Sequence, residues 1–286
     1  MDPLFFALIT YVTWGLGDVT NAVAARTLGA ERALLRVIIV SAILFLPLTP
    51  SHFDELSTLT PMLFLAVVLL GGLQVIGNIA LNKSLRLIKA PLALTIFSSY
   101  AALIVVLSVL FFREPITTLQ VLYTGLIFIG IFLCTYTSSN EKQTSEHKKG
   151  IYFAIIGLVS IGLFFTLVKP VIAIIGWFWP IYAVTLWIPV LLFLHKKETS
   201  HNISVPWGTG ILSIILTALF LRIGDFSFNV ALDKGLTAIV APIAGSYPTL
   251  SIILAYFVFR EKLTFRQIIG IFFTLIGIIA LGFVGN

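Results

Sequence analysis

The sequence predicts an all-α polytopic membrane protein, with ten transmembrane helices arranged as two inverted five-helix repeats. Three observations carry this. Of the 286 residues, 59% are apolar and only 10% charged, against about half and about a quarter in a soluble domain. Mean hydropathy is +1.08, and the apolar runs recur end to end near the ~20 residues that a ~30 Å hydrocarbon core requires. Thirdly, displacing the chain by 147 residues superposes its two halves without a gap.

Dividing the chain at charged or turn-forming clusters places spans at 4–25, 33–50, 61–81, 91–112, 118–137, 150–173, 178–195, 207–230, 237–259 and 266–284. Met1-Asp2-Pro3 lacks the basic n-region of a signal peptide, so the first span reads as retained. Runs such as Leu103 to Phe112 do not alternate, which excludes a β-barrel. The one long polar connector, 138–149, separates a first five-span repeat (1–137) from a second (150–286).

The repeat rests on residue identities that apolar composition does not supply. Phe112-Arg113-Glu114 falls on Phe259-Arg260-Glu261, Ser99-Tyr100 on Ser246-Tyr247, Gly15-Leu16 on Gly162-Leu163 and Gln120 on Gln267. Gly77, Asn82 and Gly130 likewise fall on Gly224, Asn229 and Gly277. Five spans per repeat is an odd number, so the second repeat enters the bilayer from the opposite face. Secondary transporters recurrently use this plan.

Charge patterning orients the chain. Lys and Arg concentrate in connectors after the odd-numbered spans, among them Arg26, Arg32, Arg86, Lys148 and Arg266, whereas the other side offers Arg113 and Lys234. Basic short loops stay cytoplasmic, so both termini are expected on the non-cytoplasmic side of a cell (inner) membrane. The net charge of +6 is scattered and forms no basic-aromatic stripe, so nucleic acid is not an expected partner. The single cysteine, Cys134, lies in an apolar run, and His52, His147, His195 and His201 share no ligand spacing. Neither a metal nor another cofactor is expected.

Ionisable groups at membrane depth are costly and mark pathways. Asp18 lies deep in span one with Asn21 one turn on, and it has no partner close in sequence. Arg222 and Asp225 in span eight are three residues apart on one helical face; they can line a cavity, or neutralise one another and fix helix rotation. Lys169, beside Pro170 in span six, can line the same cavity or snorkel to the interface. The charges are asymmetric between the halves, since Asp18 falls opposite Phe165, Lys169 opposite Ala22 and Arg222 opposite Val75. Tyr100 and Tyr247 sit near mid-span, and Pro242 and Pro248 loosen span nine. Both tyrosines suit cavity walls or interhelical hydrogen bonds.

The two Phe-Arg-Glu turns, Trp14-Gly15, Arg36 opening span two, the Asn-x-Ala-Leu of Asn229 to Leu232 and the five-plus-five spans resemble the EamA-type carriers of the drug/metabolite transporter superfamily. The resemblance covers nearly the whole chain. It implies a ten-helix, non-enzymatic carrier working by alternating access, with a cavity that takes in Trp14, Asp18, Asn78, Tyr100, Lys169, Arg222, Asp225 and Tyr247. Where Ser-Asn-Phe often follows Trp-Gly in that family, this chain has Leu16-Gly17-Asp18. The expected activity is secondary active transport of a small polar or amphipathic metabolite, an amino acid or related compound favoured, as export coupled to protons or exchange. The expected partners are that small molecule, the lipid bilayer and protons. The alternatives are nucleotide-sugar or sugar-phosphate exchange and an intramembrane lipid-modifying enzyme, although no histidine sits at membrane depth to serve the latter.

Overall fold

A computed structural model of the chain describes residues 2–28, 30–88, 90–135, 145–195, 207–260 and 263–284. The expected linker residues 138–144, and the connector residues Lys89, Lys142, Lys196, Lys197, His201, Glu261 and Lys262, lie outside them. Among the described residues there are helices and no strands. The first repeat comprises α1 (Pro3–Leu28), α2 (Ala30–Phe45), a 3-10 segment (Leu46–Thr58), α3 (Pro61–Leu87), α4 (Ala90–Ser98), α5 (Tyr100–Phe112) and α6 (Thr118–Thr135). The second comprises α7 (Ser145–Ile175), α8 (Trp179–Tyr182), a 3-10 segment (Ala183–Trp187), α9 (Ile188–His195), α10 (Trp207–Lys234), α11 (Thr237–Gly245), α12 (Tyr247–Phe259) and α13 (Phe265–Val284). Counting α4–α5, α8–α9 and α11–α12 as one crossing each gives the ten spans. Among the described residues, seven helical stretches are individually long and apolar enough to cross a membrane, and the shorter apolar helices Ile96–Phe112 and Trp179–Phe193 add to them.

Local chemistry sets the ends. Thr60 caps α3 by accepting from the Leu63 amide at 3.2 Å, with Pro61 at the first helical position. Helix α7 is already helical at Ser145, five residues before the expected span, and Glu146 lies in the first turn described. Arg113 and Arg260 end α5 and α12 in the left-handed region, with φ of 51° and 56°. Such a conformation costs a non-glycine residue about 1–2 kcal/mol, and it occurs at equivalent positions in both halves. The Gln120 and Gln267 carboxamides accept from the Thr117 and Thr264 amides, each at 2.9 Å, and so cap α6 and α13 identically.

The repeats are exchanged by a pseudo-two-fold axis that is legible residue by residue. Helix α1 packs on α10 and α3 on α7, each the image of the other under the 147-residue displacement, while the two fifth spans, α6 and α13, pack on each other. A Cβ on Gly15 would strike Leu250 and one on Gly162 would strike Leu103; one on Gly77 would meet Ile161 and one on Gly224 would meet Trp14. Each pair of contacts is one contact made twice. Spans four and nine both break at the same place, Ser99 and Ser246, where the amide of each serine bonds three residues back, to Ile96 and Ile243.

The termini share one end of the bundle. Pro3 packs on Gly235, Lys169 reaches both Gly235 and Glu114, and Gln120 donates to the Val284 carbonyl. We call this the termini end and the opposite one the linker end. The outer surface is apolar: Leu69, Leu110, Phe132, Phe257, Phe272 and Phe283 are all exposed, as suits contact with lipid. Hydroxyls at this depth return to their own helices, Thr13 to Ile9, Thr135 to Ile131 and Thr166 to Gly162, at 2.7–2.8 Å.

Candidate functional site

A cavity of about 170 Å³ lies at mid-bundle between the repeats. Its walls come from α1, α2, α3, the α4–α5 break, α7, Val184 and Leu191 of the seventh span, α10 and Tyr247 at the α11–α12 break. Along α1 the lining runs from Trp14 through Asp18 to Asn21, and on α3 from Gln74 through Asn78 to Leu81. The cavity therefore extends from mid-bundle toward the linker end.

Gly224 lies behind the Trp14 wall. Having no side chain, it lets the Trp14 ring lie directly on α10, and the indole Nε1 donates to Asp225 Oδ1 at 3.0 Å. The other carboxylate oxygen accepts from Arg222 at 2.9 Å, and the Gln74 amide lies beside them. Asp225 is thus satisfied on both oxygens, and its charge is met by Arg222. Trp14 is held edge-on to Tyr247 at 5.5 Å and against Phe165 and Phe228, both at 5.3 Å between centroids. The breaks at Ser99 and Ser246 turn Tyr100 and Tyr247 into the cavity, where their hydroxyls face each other.

Asp18 differs. One turn below Trp14 on the same face of α1, it makes one long contact, with Ser251 Oγ at 3.4 Å. Among the described residues no cation pairs with it. Asn78 spends its amide on the Gln74 carbonyl at 2.8 Å, leaving its oxygen for the cavity.

Seven of the eight residues expected at the site line this cavity: Trp14, Asp18, Asn78, Tyr100, Arg222, Asp225 and Tyr247. Lys169 does not. Its ammonium lies toward the termini end, 2.6 Å from Glu114 Oε1 and 3.0 Å from both the Gly235 carbonyl and Thr237 Oγ1. Glu114, in the first Phe-Arg-Glu turn, also accepts from the Thr237 and Ala238 amides at 3.0 and 2.8 Å, capping α11. Burial alone would raise this carboxyl, but the Lys169 ammonium and the two amides outweigh it and hold Glu114 below the usual carboxylate range. The pair locks α5, α7 and α11 together. Above the cavity on the same side, His52 stacks on Phe178 at 4.5 Å, Phe178 on Phe226 at 5.3 Å, and Phe226 meets Phe45 at 5.1 Å. Asn229 donates to the Trp177 carbonyl at 2.9 Å, tying α10 to that layer. The termini end is sealed, while the cavity runs the other way.

Sequence reasoning missed Gln74 and Glu114. The repeat marked Glu114 as part of a shared turn, but only the left-handed Arg113, which directs the carboxylate inward, makes it a lock. Gln74 falls opposite Leu221 and so carried no repeat signal.

Residues 2–136 and 148–283 each match the EamA-like transporter family. The chain belongs to that family. This EamA-like chain is 27% identical over 208 residues to an uncharacterized transporter of Synechocystis sp., covering 70% of the chain and 61% of the relative, so it spans about three fifths of that protein's length. It is 22% identical over 292 residues to an uncharacterized transporter of Archaeoglobus fulgidus, covering 98% of each. A crystal structure with 12% sequence identity superposes with a TM-score of 0.81 over 99% of the chain and 97% of its own, and at that identity the match speaks to the fold. The EamA-like chain is an integral membrane protein of a transporter family.

Proposed function

We propose that the protein is a secondary active carrier that exports a small amine-bearing metabolite, an amino acid or a related compound, by alternating access between its two repeats. The observation that carries this reading is Asp18, a carboxylate in a mid-bundle cavity with no cationic partner among the described residues. With Lys169 committed to Glu114, the lining holds two carboxylates and one guanidinium, Asp18, Asp225 and Arg222. A cavity with one carboxylate in excess favours an ammonium over an anion.

In this mechanism the substrate ammonium meets Asp18, while Arg222, already on Asp225, offers its remaining donors to a substrate carboxylate. The tyrosine hydroxyls and the Asn78 oxygen supply neutral contacts, and Phe97 and Phe165 give an apolar wall. When the substrate leaves, Asp18 exchanges its ammonium partner for a proton or a second substrate, which couples transport to protons or to exchange. The pseudo-two-fold axis supplies the opposite state, because each repeat can adopt the packing its counterpart now holds. With the termini on the non-cytoplasmic side, as the basic connectors imply, the cavity faces the cytoplasm and loads for export.

Thermal-shift screening of the purified protein against amino acids, amines, sugar phosphates and nucleotide sugars tests this reading. Stabilisation should come from amine-bearing compounds, scale with concentration over the binding constant, and vanish in Asp18→Asn. Stabilisation by polyanions alone would overturn it.

A further inference from the structure

A second cavity, larger than the central one, lies elsewhere among the described residues. A groove of about 580 Å³ lies on the opposite side of α2, between it and α10, with the end of α1 closing one flank. One helix thus separates two chambers: Leu34, Val37 and Ile38 face the central cavity, while Arg32, Arg36, Ile39, Val40 and Ile43 face the groove. From Ile39 to Leu44 on α2, and along Ile211, Ile214 and Ile215 on α10, the groove is entirely aliphatic. Its linker end carries two arginines one helical turn apart, about 6 Å along the axis. Arg32 is half-buried and Arg36 exposed, and among the described residues neither guanidinium has an ion-pair or hydrogen-bond partner.

We propose that this groove is a binding site for one anionic phospholipid of the linker-side leaflet, with its phosphate between Arg32 and Arg36 and an acyl chain along the isoleucine-lined wall. The two ends of the groove specify opposite halves of one amphiphile. Unpartnered guanidinium groups at the edge of the hydrocarbon call for an anion, and the phosphodiester matches their planar donor forks. A soluble phosphate would satisfy the arginines but leave the aliphatic trough unfilled. A zwitterionic lipid fills the trough but brings its own cation to the arginines. Basic pockets between transmembrane helices on the cytoplasmic side are suited to anionic headgroups in this way. Because α2 is also a wall of the central cavity, the bound lipid buttresses that wall from behind. The site stands on its own residues and does not depend on what the central cavity carries.

Native mass spectrometry of the full-length protein, equilibrated with equimolar phosphatidylglycerol and phosphatidylcholine, tests the proposal. At roughly fivefold per arginine, the wild type should retain one phosphatidylglycerol with about a 25-fold preference. The preference should fall about fivefold in Arg36→Gln and disappear in Arg32→Gln/Arg36→Gln. Ile43→Trp, which fills the trough and keeps both charges, should reduce retention of both lipids. Glycerol 3-phosphate, a headgroup without chains, should not raise the melting temperature at concentrations where phosphatidylglycerol does. Equal retention of the two lipids by the wild type overturns the proposal, and this arm needs no variant to fold. So does an unchanged preference in Arg36→Gln, or stabilisation by glycerol 3-phosphate equal to that by phosphatidylglycerol, which would make the arginines a free-anion site.

Discussion

Replacing Lys169 by methionine removes the ammonium that holds the termini end shut while keeping most of its packing volume. Lys169 is 24% and Glu114 5% exposed at the side chain, and their contact is 2.6 Å. Breaking a buried ion pair costs about 3–5 kcal/mol, chiefly for the charge left behind. Glu114 keeps the Thr237 and Ala238 amides, and Lys169 is partly hydrated, so the lower end applies, about 3 kcal/mol. At about 2–4 °C per kcal/mol for a chain of this order of size, Lys169→Met should melt roughly 6–12 °C below the wild type in detergent. Glu114→Gln leaves Lys169 with two neutral acceptors, Gly235 and Thr237, and should cost about 1–2 kcal/mol. In the double variant no charge is stranded, so its loss should be smaller than the sum of the singles. The pH dependence has a definite sign. Glu114 is depressed in the folded state, so its contribution is present in full above the ordinary Glu value of about 4.3. It is lost as the pH falls from there through the folded value. Glu114→Gln should remove that acid-side loss. Strict additivity of the two substitutions, or a Lys169→Met protein melting within about 2 °C of wild type, would refute the lock.

Three further outcomes follow from the packing. Gly130→Leu should cost at least about 3 kcal/mol and lower the yield of folded protein, because even a Cβ there would lie 2.6 Å from the Gly270 carbonyl oxygen on α13; a melting curve like that of the wild type would count against the α6–α13 crossing. Trp14→Phe should cost about 2 kcal/mol in melting experiments, since it removes a hydrogen bond to a charged acceptor, and substrate binding should weaken with it; unchanged stability would deny Trp14 its positioning role. Cysteines at Arg113 and Arg260, introduced with Cys134→Ser, should react with an impermeant maleimide from opposite sides of the membrane, as inverted repeats require. Labelling from one side would remove the inversion.

The fold was almost entirely legible in the sequence, because lipid leaves the chain so few options. Span lengths follow from bilayer thickness, and the Gly and Phe-Arg-Glu pairs betray the duplication since apolar composition cannot generate them. Of the candidate site, Asp18 and Arg222 stand out in the sequence as one-sided charges, opposite Phe165 and Val75, while Asp225 falls opposite the polar Asn78; all three line the cavity. Lys169 shows the limit. Its depth in the sixth span is readable, but whether its ammonium turns to the cavity or to Glu114 depends on the left-handed Arg113 and on the start of α11, both set by tertiary packing. The Trp14–Asp225 bond was hidden for a similar reason, since it requires α1 and α10 to approach across Gly224, a pairing of first and eighth spans that no local pattern announces.

Counterflow in proteoliposomes is the most direct test of the account. Vesicles loaded with the amine-bearing compound that best stabilises the purified protein should accumulate labelled compound from outside, and Asp18→Asn should lower that uptake at least tenfold while retaining the wild-type fold and melting temperature. Uptake by Asp18→Asn equal to the wild type would contradict an amine-binding carboxylate at mid-membrane.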